Sequence, residues 1–239
     1  LRNSIFYSNF ARRISGYMKI ALIGYGKMGH IIEQIAIKRG HTIVCIIDKD
    51  NLSDFESEAF RSADVAIEFS TPATAKDNIL RAWANGVPVV SGTTGWDVEE
   101  LKNKNEKLKR ETGRAWLVWK SNFSIGVNVL FELNKRLAEL LAPYPQYSPS
   151  IEEIHHIHKL DKPSGTAKTL AEDISPFRGF PPKGATVSIP IMSIREGEVP
   201  GTHTVTWDSE EDTIVIQHIA KGREGFALGA VIEAEKLGV

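Results

Sequence analysis

Met18-Lys19-Ile20-Ala21-Leu22-Ile23-Gly24-Tyr25-Gly26-Lys27-Met28-Gly29 is the stretch that decides the fold of this chain. The apolar run 20–23 ends on a glycine. Beyond it Met28, Ile31, Ile32, Ile35 and Ala36 recur at helical spacing until Gly40. The pattern G-x-G-x-x-G is weak alone, but between a strand and a helix it marks a dinucleotide-binding turn. Gly24 permits the tight turn, Gly26 lets a pyrophosphate approach the backbone, and Gly29 lets helix and strand pack closely. Tyr25, Lys27 and Met28 complete the turn, and the helix N-terminus offers N–H groups and a positive dipole end to the phosphates. Asp48 ends the next strand about twenty residues on, where a carboxylate accepts from the adenosine ribose. Lys49 follows and suits a 2′-phosphate, so the pair predicts use of both NADH and NADPH.

Working outward, residues 42–47 and 65–69 are continuous apolar strands of the kind buried on both faces. Thr71-Pro72 opens a helix over 73–84, closed by Asn85-Gly86. A strand over 87–90, a charged helix over 98–111 that Asp97 can cap, and a strand over 115–119 continue the alternation. Five strands separated by helices predict an α/β fold, a Rossmann-type doubly wound parallel sheet. Loops beyond the carboxyl ends of such strands line the ligand crevice. Gly92-Thr93-Thr94-Gly95 and Ser70-Thr71-Pro72 are therefore expected near a nicotinamide and its ribose.

Past residue 122 the pattern changes. A helix over 125–141, a strand over 151–158, a helix over 166–174 and strand-like runs near 185–194, 202–207 and 213–219 predict a second, α+β domain on a mixed or antiparallel sheet. A helix over 225–237 closes the chain. The expected division is 18–122 plus about 220–239 for the dinucleotide domain and 123–219 for a substrate-binding and oligomerisation domain, with a ligand cleft between them. Residues 1–17 carry Arg2, Arg12 and Arg13 and no acid, a presequence-like composition. The strand that begins directly after Met18 makes an upstream extension outside the fold the stronger expectation.

Composition sets the outer limits. The 239 residues, 42% apolar and 25% charged, suit one large or two modest globular domains. With 29 basic and 30 acidic residues the net charge is −1, so no global field draws the chain to nucleic acid or an anionic membrane. No apolar run reaches bilayer-spanning length. A single cysteine, Cys45, excludes an internal disulfide and a cysteine-based metal site, and fits a reducing, cytoplasmic setting.

The densest chemistry is Glu153-Ile154-His155-His156-Ile157-His158-Lys159-Leu160-Asp161-Lys162-Pro163-Ser164-Gly165-Thr166. The Ser164-Gly165-Thr166 turn precedes a helix, so its N–H groups and hydroxyls form a ready carboxylate site. Strand alternation puts His155, Ile157 and Lys159 on one face and His156 and His158 on the other, unless the strand ends or bulges between them. His156 and His158 lie two apart, but no H-E-x-x-H and no nearby third ligand accompany them, so no metal is expected. An exposed polar strand is the bland alternative. So many cationic groups leading into a helix N-terminus favour a ligand site.

Five motifs then carry a resemblance: IALIGYGKMG, SGTTGW, SNFSIGVNVL, EEIHHIHKLDKPSGTA and REGFALGA, in that order from Met18 almost to the end. The chain resembles the dihydrodipicolinate reductase family of the diaminopimelate and lysine pathway. The histidine–lysine–PSGTA motif is specific to that family, whereas the glycine turn is not. The resemblance implies NAD(P)H-dependent reduction of a cyclic unsaturated imine dicarboxylate to tetrahydrodipicolinate, with loss of water from the 4-hydroxy form, by a homotetramer. It implies that His155 is a proton donor/acceptor and Lys159 the proton donor. His156 becomes a substrate contact, with Ser164, Gly165 and Thr166 at the carboxylate site. Cofactor contacts are implied for Gly24 to Gly29, Asp48, Lys49, Gly92, Thr93 and Thr94. They are also implied for Lys120, Ser121, Asn122 and Phe123, and more distantly for Arg223 and Phe226. Ile157 departs from the pattern, standing where some members have Arg, and the stretch 175–185 is shorter than usual. Two rivals remain: another nicotinamide-dependent dehydrogenase, which Cys45 in a buried strand does not support as a thiol enzyme, and a non-catalytic dinucleotide sensor, which needs no residues like those of 155–166.

Overall fold

The computed structural model describes residues 16–177 and 189–238. They divide into two compact units, one running to Phe123 and resuming at Phe226, the other spanning Ser124–Gly225. The return to the first unit comes a few residues beyond the expected 220.

The first unit alternates strands and helices. β1 (Lys19–Ile23) leads into helix α1 (Lys27–Lys38), then β2 (Thr42–Ile47), β3 (Val65–Glu68), helix α3 (Ala75–Ala84), β4 (Val89–Ser91), helix α4 (Glu99–Thr112) and β5 (Leu117–Trp119). All neighbours pair parallel, in the order β2-β1-β3-β4-β5. Strands buried on both faces read as unbroken apolar runs, and every residue of β3 and β4 is buried. Between β2 and β3 the structure adds a 3-10 turn, Leu52–Glu56, and a short helix, α2 (Glu58–Arg61), where the sequence reading placed no element. Four residues are too few to show a helical period. Their purpose is packing: Phe55 and Phe60 are fully buried, edge to face at 5.0 Å, and Ser57 caps the helix by accepting from the Phe60 N–H at 3.1 Å.

The last helix, α7 (Glu224–Leu237), completes this unit. Its Ala227, Ala230, Val231, Ala234 and Leu237 join Ile20, Leu22, Ile32, Val65 and Phe123 in one core cluster. Gly229 is required there, because a Cβ would lie 1.7 Å from the Phe123 carbonyl oxygen.

The second unit pairs helices with a mixed sheet. Helix α5 (Ile125–Leu141) is followed by β6 (Ser148–His155), helix α6 (Gly165–Ile174), a 3-10 turn at Ser175–Phe177, β7 (Ile191–Arg195), β8 (Thr202–Asp208) and β9 (Thr213–Ile219). The order is β7-β6-β8-β9, with β6 and β7 parallel and the other pairs antiparallel. Of the strand expected near 185–194, residues 185–188 lie outside the described residues, as does 178–185 of the stretch noted for its length. Alternation fixes the inner face: Ile151, Val205 and Trp207 are buried with Leu130, Ala138, Leu170 and Ile174 from the helices. The strand expected over 151–158 begins and ends three residues earlier. No helix among the described residues is long and apolar enough to cross a membrane.

Candidate active site

The glycine turn is held from below. Gly24 N–H donates to the Ile47 carbonyl at 2.8 Å, and Phe69 N–H to the Ile23 carbonyl at 2.8 Å. Gly24 has φ 88°, and a Cβ on it would meet the Phe69 carbonyl oxygen at 2.3 Å. A Cβ on Gly29 would meet the Gly24 carbonyl oxygen at 2.5 Å, so both glycines are fixed by the fold itself. Gly26 differs. It is exposed and extended at the N-cap of α1, makes no side-chain cap, and a Cβ there would meet nothing within 4 Å. A glycine that the protein does not need leaves the open space and the bare helix N-terminus that a pyrophosphate requires, so these residues fit a dinucleotide. Because β1 has β2 on one side and β3 on the other, the turn also sits at the switch point of the sheet, where such ligands bind.

The remaining cofactor candidates separate by their surroundings. Asp48 and Lys49 are exposed at the end of β2, with Asp48 Oδ1 accepting from the Lys49 N–H at 2.9 Å. Lys27, Thr94, Ser121 and Arg223 are exposed, whereas Asn122 and Phe226 are half-buried. Tyr25 and Met28 pack against the core, and the Tyr25 hydroxyl donates to Glu33, whose carboxylate holds the phenol above its ordinary range. Lys120 pairs with Glu233 at 3.2 Å.

Three of the candidates are engaged by the protein itself. Phe123 is a core residue, 4% exposed, with its ring 5.9 Å from Phe69. Gly92 makes room for protein, since a Cβ would overlap the Phe69 ring at 2.2 Å. Thr93 is buried, and its hydroxyl donates to Glu68 at 2.9 Å while accepting from the Ser70 N–H. Glu68 was missed by the sequence reading. It is fully buried at the end of β3 and accepts from Ser70, from Ser91 at 2.5 Å and from Thr93, which locks the Ser70 and Gly92 loops together. The signal was a lone carboxylate ending an apolar strand.

In the second unit the strand end resolves the histidine ambiguity. β6 stops at His155, Glu196 N–H donates to the His155 carbonyl at 2.8 Å, and Lys159 N–H closes a turn on the His156 carbonyl at 3.1 Å. His155 and Lys159 therefore do not share a strand face. His155 points inward and is 6% exposed, whereas His156 and Lys159 belong to the following turn. Lys159 Nζ pairs with Asp161 at 2.7 Å, and that ammonium holds the carboxyl below its usual range although burial alone would raise it. Arg195, from β7, ties the turn down by donating to the carbonyls of Lys159 and Asp161 and to Glu153 Oε1, the last at 3.2 Å.

Ser164 is the N-cap of α6, accepting from the Ala167 N–H at 3.2 Å, and its own N–H donates to Glu153 Oε1 at 3.0 Å. At 2% exposure it is an internal anchor of the turn. Gly165 is exposed and Thr166 half-buried at the first helical positions.

Glu153 and His203 escaped the sequence reading, although strand alternation places both inward. Glu153 is fully buried. Burial would raise its carboxyl, but the polar groups of Ser164, Ser193 and Arg195 around it overcome that and hold it at about 2. Burial pushes His155 down and His203 down to about 4. Glu153, His155 and His203 have the composition of a metal site, with ligand atoms within 4.8 Å of one another. Arg195 already supplies the positive charge that a metal would bring, so the donor set does not fit one. Cys45 is half-buried on β2 with its thiol raised by burial, the opposite of an activated nucleophile.

Known proteins share this sequence and fold. Residues 18–123 match the family described as "Dihydrodipicolinate reductase, N-terminus" and residues 126–239 match "Dihydrodipicolinate reductase, C-terminus". A 4-hydroxy-tetrahydrodipicolinate reductase of Christiangramia forsetii is 49% identical over 92% of this chain and 92% of its own length. Another, of Lawsonia intracellularis, is 33% identical over 91% of this chain and 93% of its own. A dipicolinate-bound dihydrodipicolinate reductase from Paenisporosarcina shares the fold, at a TM-score of 0.72 and 24% identity over 92% of this chain and 94% of its own. On these matches, which run through both units, the chain belongs to the dihydrodipicolinate reductase family.

Proposed function

We propose that this protein reduces 4-hydroxy-tetrahydrodipicolinate to tetrahydrodipicolinate at the expense of NADH or NADPH, releasing water. The observation that carries the reading is the build of the 153–166 segment. An imidazole whose pKa burial lowers ends a strand, an ammonium follows it on a tied-down turn, and a helix N-terminus comes next. A dianionic substrate calls for cations and helix N–H groups, and Lys159, Gly165, Thr166 and His156 supply them. The bound nicotinamide supplies a hydride to a ring carbon of the unsaturated imine formed when water is lost. The electron pair that arrives on the neighbouring carbon takes a proton from a nearby acid, a task that suits the Lys159 ammonium with His155 assisting. Asp161 holds the ammonium in place until the substrate carboxylates compete for it.

NADH and NADPH are both substrates in this reading, because Asp48 can accept from a ribose and Lys49 can meet a 2′-phosphate. A homotetramer is proposed too. What supports self-association is apolar surface in the second unit: Met192, Val215 and Ile219 stand exposed on the sheet strands. The experiment is consumption of NADH and of NADPH with the imine made in situ. No oxidation of either above the uncatalysed rate refutes the assignment.

A further inference from the structure

On the inner face of the second sheet, one rung carries a buried carboxylate. Glu153 stands opposite Ser193 on β7 and His203 on β8, and His203 stands opposite His218 on β9. The rung before is wholly apolar, with Ile191, Ile151, Val205 and Ile216. The rung after pairs His155 with Arg195. A buried carboxylate needs its oxygens satisfied, yet only one of them is anchored. Oε1 accepts from the Ser164 N–H and from Arg195. Oε2 has no aligned hydrogen bond among the described residues, and lies 3.4 Å from His155 Nδ1 and 3.9 Å from His203 Nε2. His155 Nδ1 is likewise buried and without a hydrogen-bond partner among the described residues. At the opposite edge of that ring Gly201 presents no side chain, and a Cβ there would press on Nε2 at 3.1 Å.

We propose that Glu153 is a positioning residue for His155: tied through Oε1 to α6 and Arg195, it turns Oε2 to the imidazole, holds it as the Nδ1–H tautomer and leaves Nε2 to exchange the proton with the substrate. The inference rests on reading His155 as a proton-transfer group. A neutral imidazole has one N–H and one lone pair, and its neighbour decides which nitrogen carries which. An ionised carboxylate only accepts, so the N–H belongs on Nδ1. When Nε2 takes up a proton, the Glu153 charge stabilises the imidazolium against Lys159 and Arg195, which oppose it, with Asp161 adding a second negative charge. His203, edge-on to His155 at 4.9 Å, stays neutral down to about pH 4 and adds no charge. The 3.4 Å separation is long for a hydrogen bond, as contacts of this kind are before substrate tightens them.

The test is a nitrogen-15 NMR spectrum of the full chain labelled at histidine, with the His155 signals assigned by their loss in His155→Gln. The expected wild-type spectrum is the Nδ1–H form. An Nε2–H form overturns the proposal without recourse to any variant that fails to fold. In Glu153→Gln the amide oxygen keeps the Ser164 and Arg195 bonds and the amide NH2 faces Nδ1. The tautomer should then switch, kcat fall at least about tenfold, and KM for NADH stay within about twofold. An unchanged tautomer in the variant refutes the positioning role. A switched tautomer with intact kcat shows that the ring transfers no proton, which refutes the reading of His155 and the proposal built on it.

Discussion

Gly26→Ala separates the ligand's demand on the glycine turn from the fold's. The three glycines stand in different surroundings: a Cβ would lie 2.3 Å from protein at Gly24, 2.5 Å at Gly29, and more than 4 Å from anything at Gly26. Gly26 has φ −84°, which alanine adopts freely. Its replacement therefore costs only the difference between glycine and alanine at an N-cap, under about 1 kcal/mol, or a melting shift of roughly 2–4 °C. The added methyl instead occupies the space that a pyrophosphate needs. Losing one hydrogen bond to a charged group is worth about 1.5–3 kcal/mol, so Kd for NADH should rise roughly ten- to 150-fold. Gly24→Ala combines backbone overlap with a left-handed φ, and should lose more than about 3 kcal/mol of stability and fold poorly. NADH fluorescence titration and thermal denaturation of both variants decide the matter. A Gly26→Ala protein that binds NADH like the parent, or that melts as early as Gly24→Ala, refutes the reasoning.

Lys159→Met should lower kcat by at least about a hundredfold with NADH affinity intact, as expected on removing a general acid; near-normal kcat in stopped-flow turnover would move the proton to His155. Thr166→Val should weaken a pyridine-2,6-dicarboxylate inhibitor by about 1.5–3 kcal/mol while leaving NADH affinity unchanged, and calorimetry that finds equal loss for both ligands would place the turn elsewhere. Lys49→Ala should raise KM for NADPH more than for NADH, and a wild-type preference beyond about a thousandfold for either cofactor would end the dual-use reading. His203 is depressed from 6.5 to about 4 by burial. Above pH 6.5 its contribution to stability is complete, and it is lost as pH falls toward 4, because only the unfolded chain takes up the proton in that window. Urea titrations should show a fall of roughly 3 kcal/mol across it that is absent from His203→Asn, and parallel pH profiles for the two proteins would contradict the assignment.

The parallel sheet was legible in the sequence because strands buried on both faces print as unbroken apolar runs, and the glycine turn names its own strand and helix. The paired phenylalanines of 52–61 were not legible, since a single helical turn has no period. Among site residues, the split followed a physical line. Outward-facing candidates such as Gly26 and Asp48 are nominated by residue chemistry alone, and the structure leaves them exposed. Gly92, Thr93, Phe123 and Ser164 stand in motifs that suggest ligand contacts, but the structure turns each toward protein. Motifs record that a residue type is required without saying by what. Glu153 and His203 needed cross-strand register, a pairing 50 residues apart in the chain that local alternation does not reveal. Arg195 reaches Glu153 across the parallel β6–β7 pair for the same reason.

Helix α7 gives the first unit an unusual birth. Its alanines and Val231 fill the same core as Ile20 and Leu22, and its Glu235 holds Arg39 at 2.6 Å and His41 at 2.9 Å. The nucleotide half is thus begun before Ser124–Gly225 is synthesised and finished only after it, while Ser124–Gly225 is uninterrupted. On a ribosome adding about 5–20 residues per second, the nascent sheet waits several seconds with the place of α7 empty. A nonsense mutation inside the codons of α7, beyond Phe226, would leave that apolar face bare to chaperones and proteases.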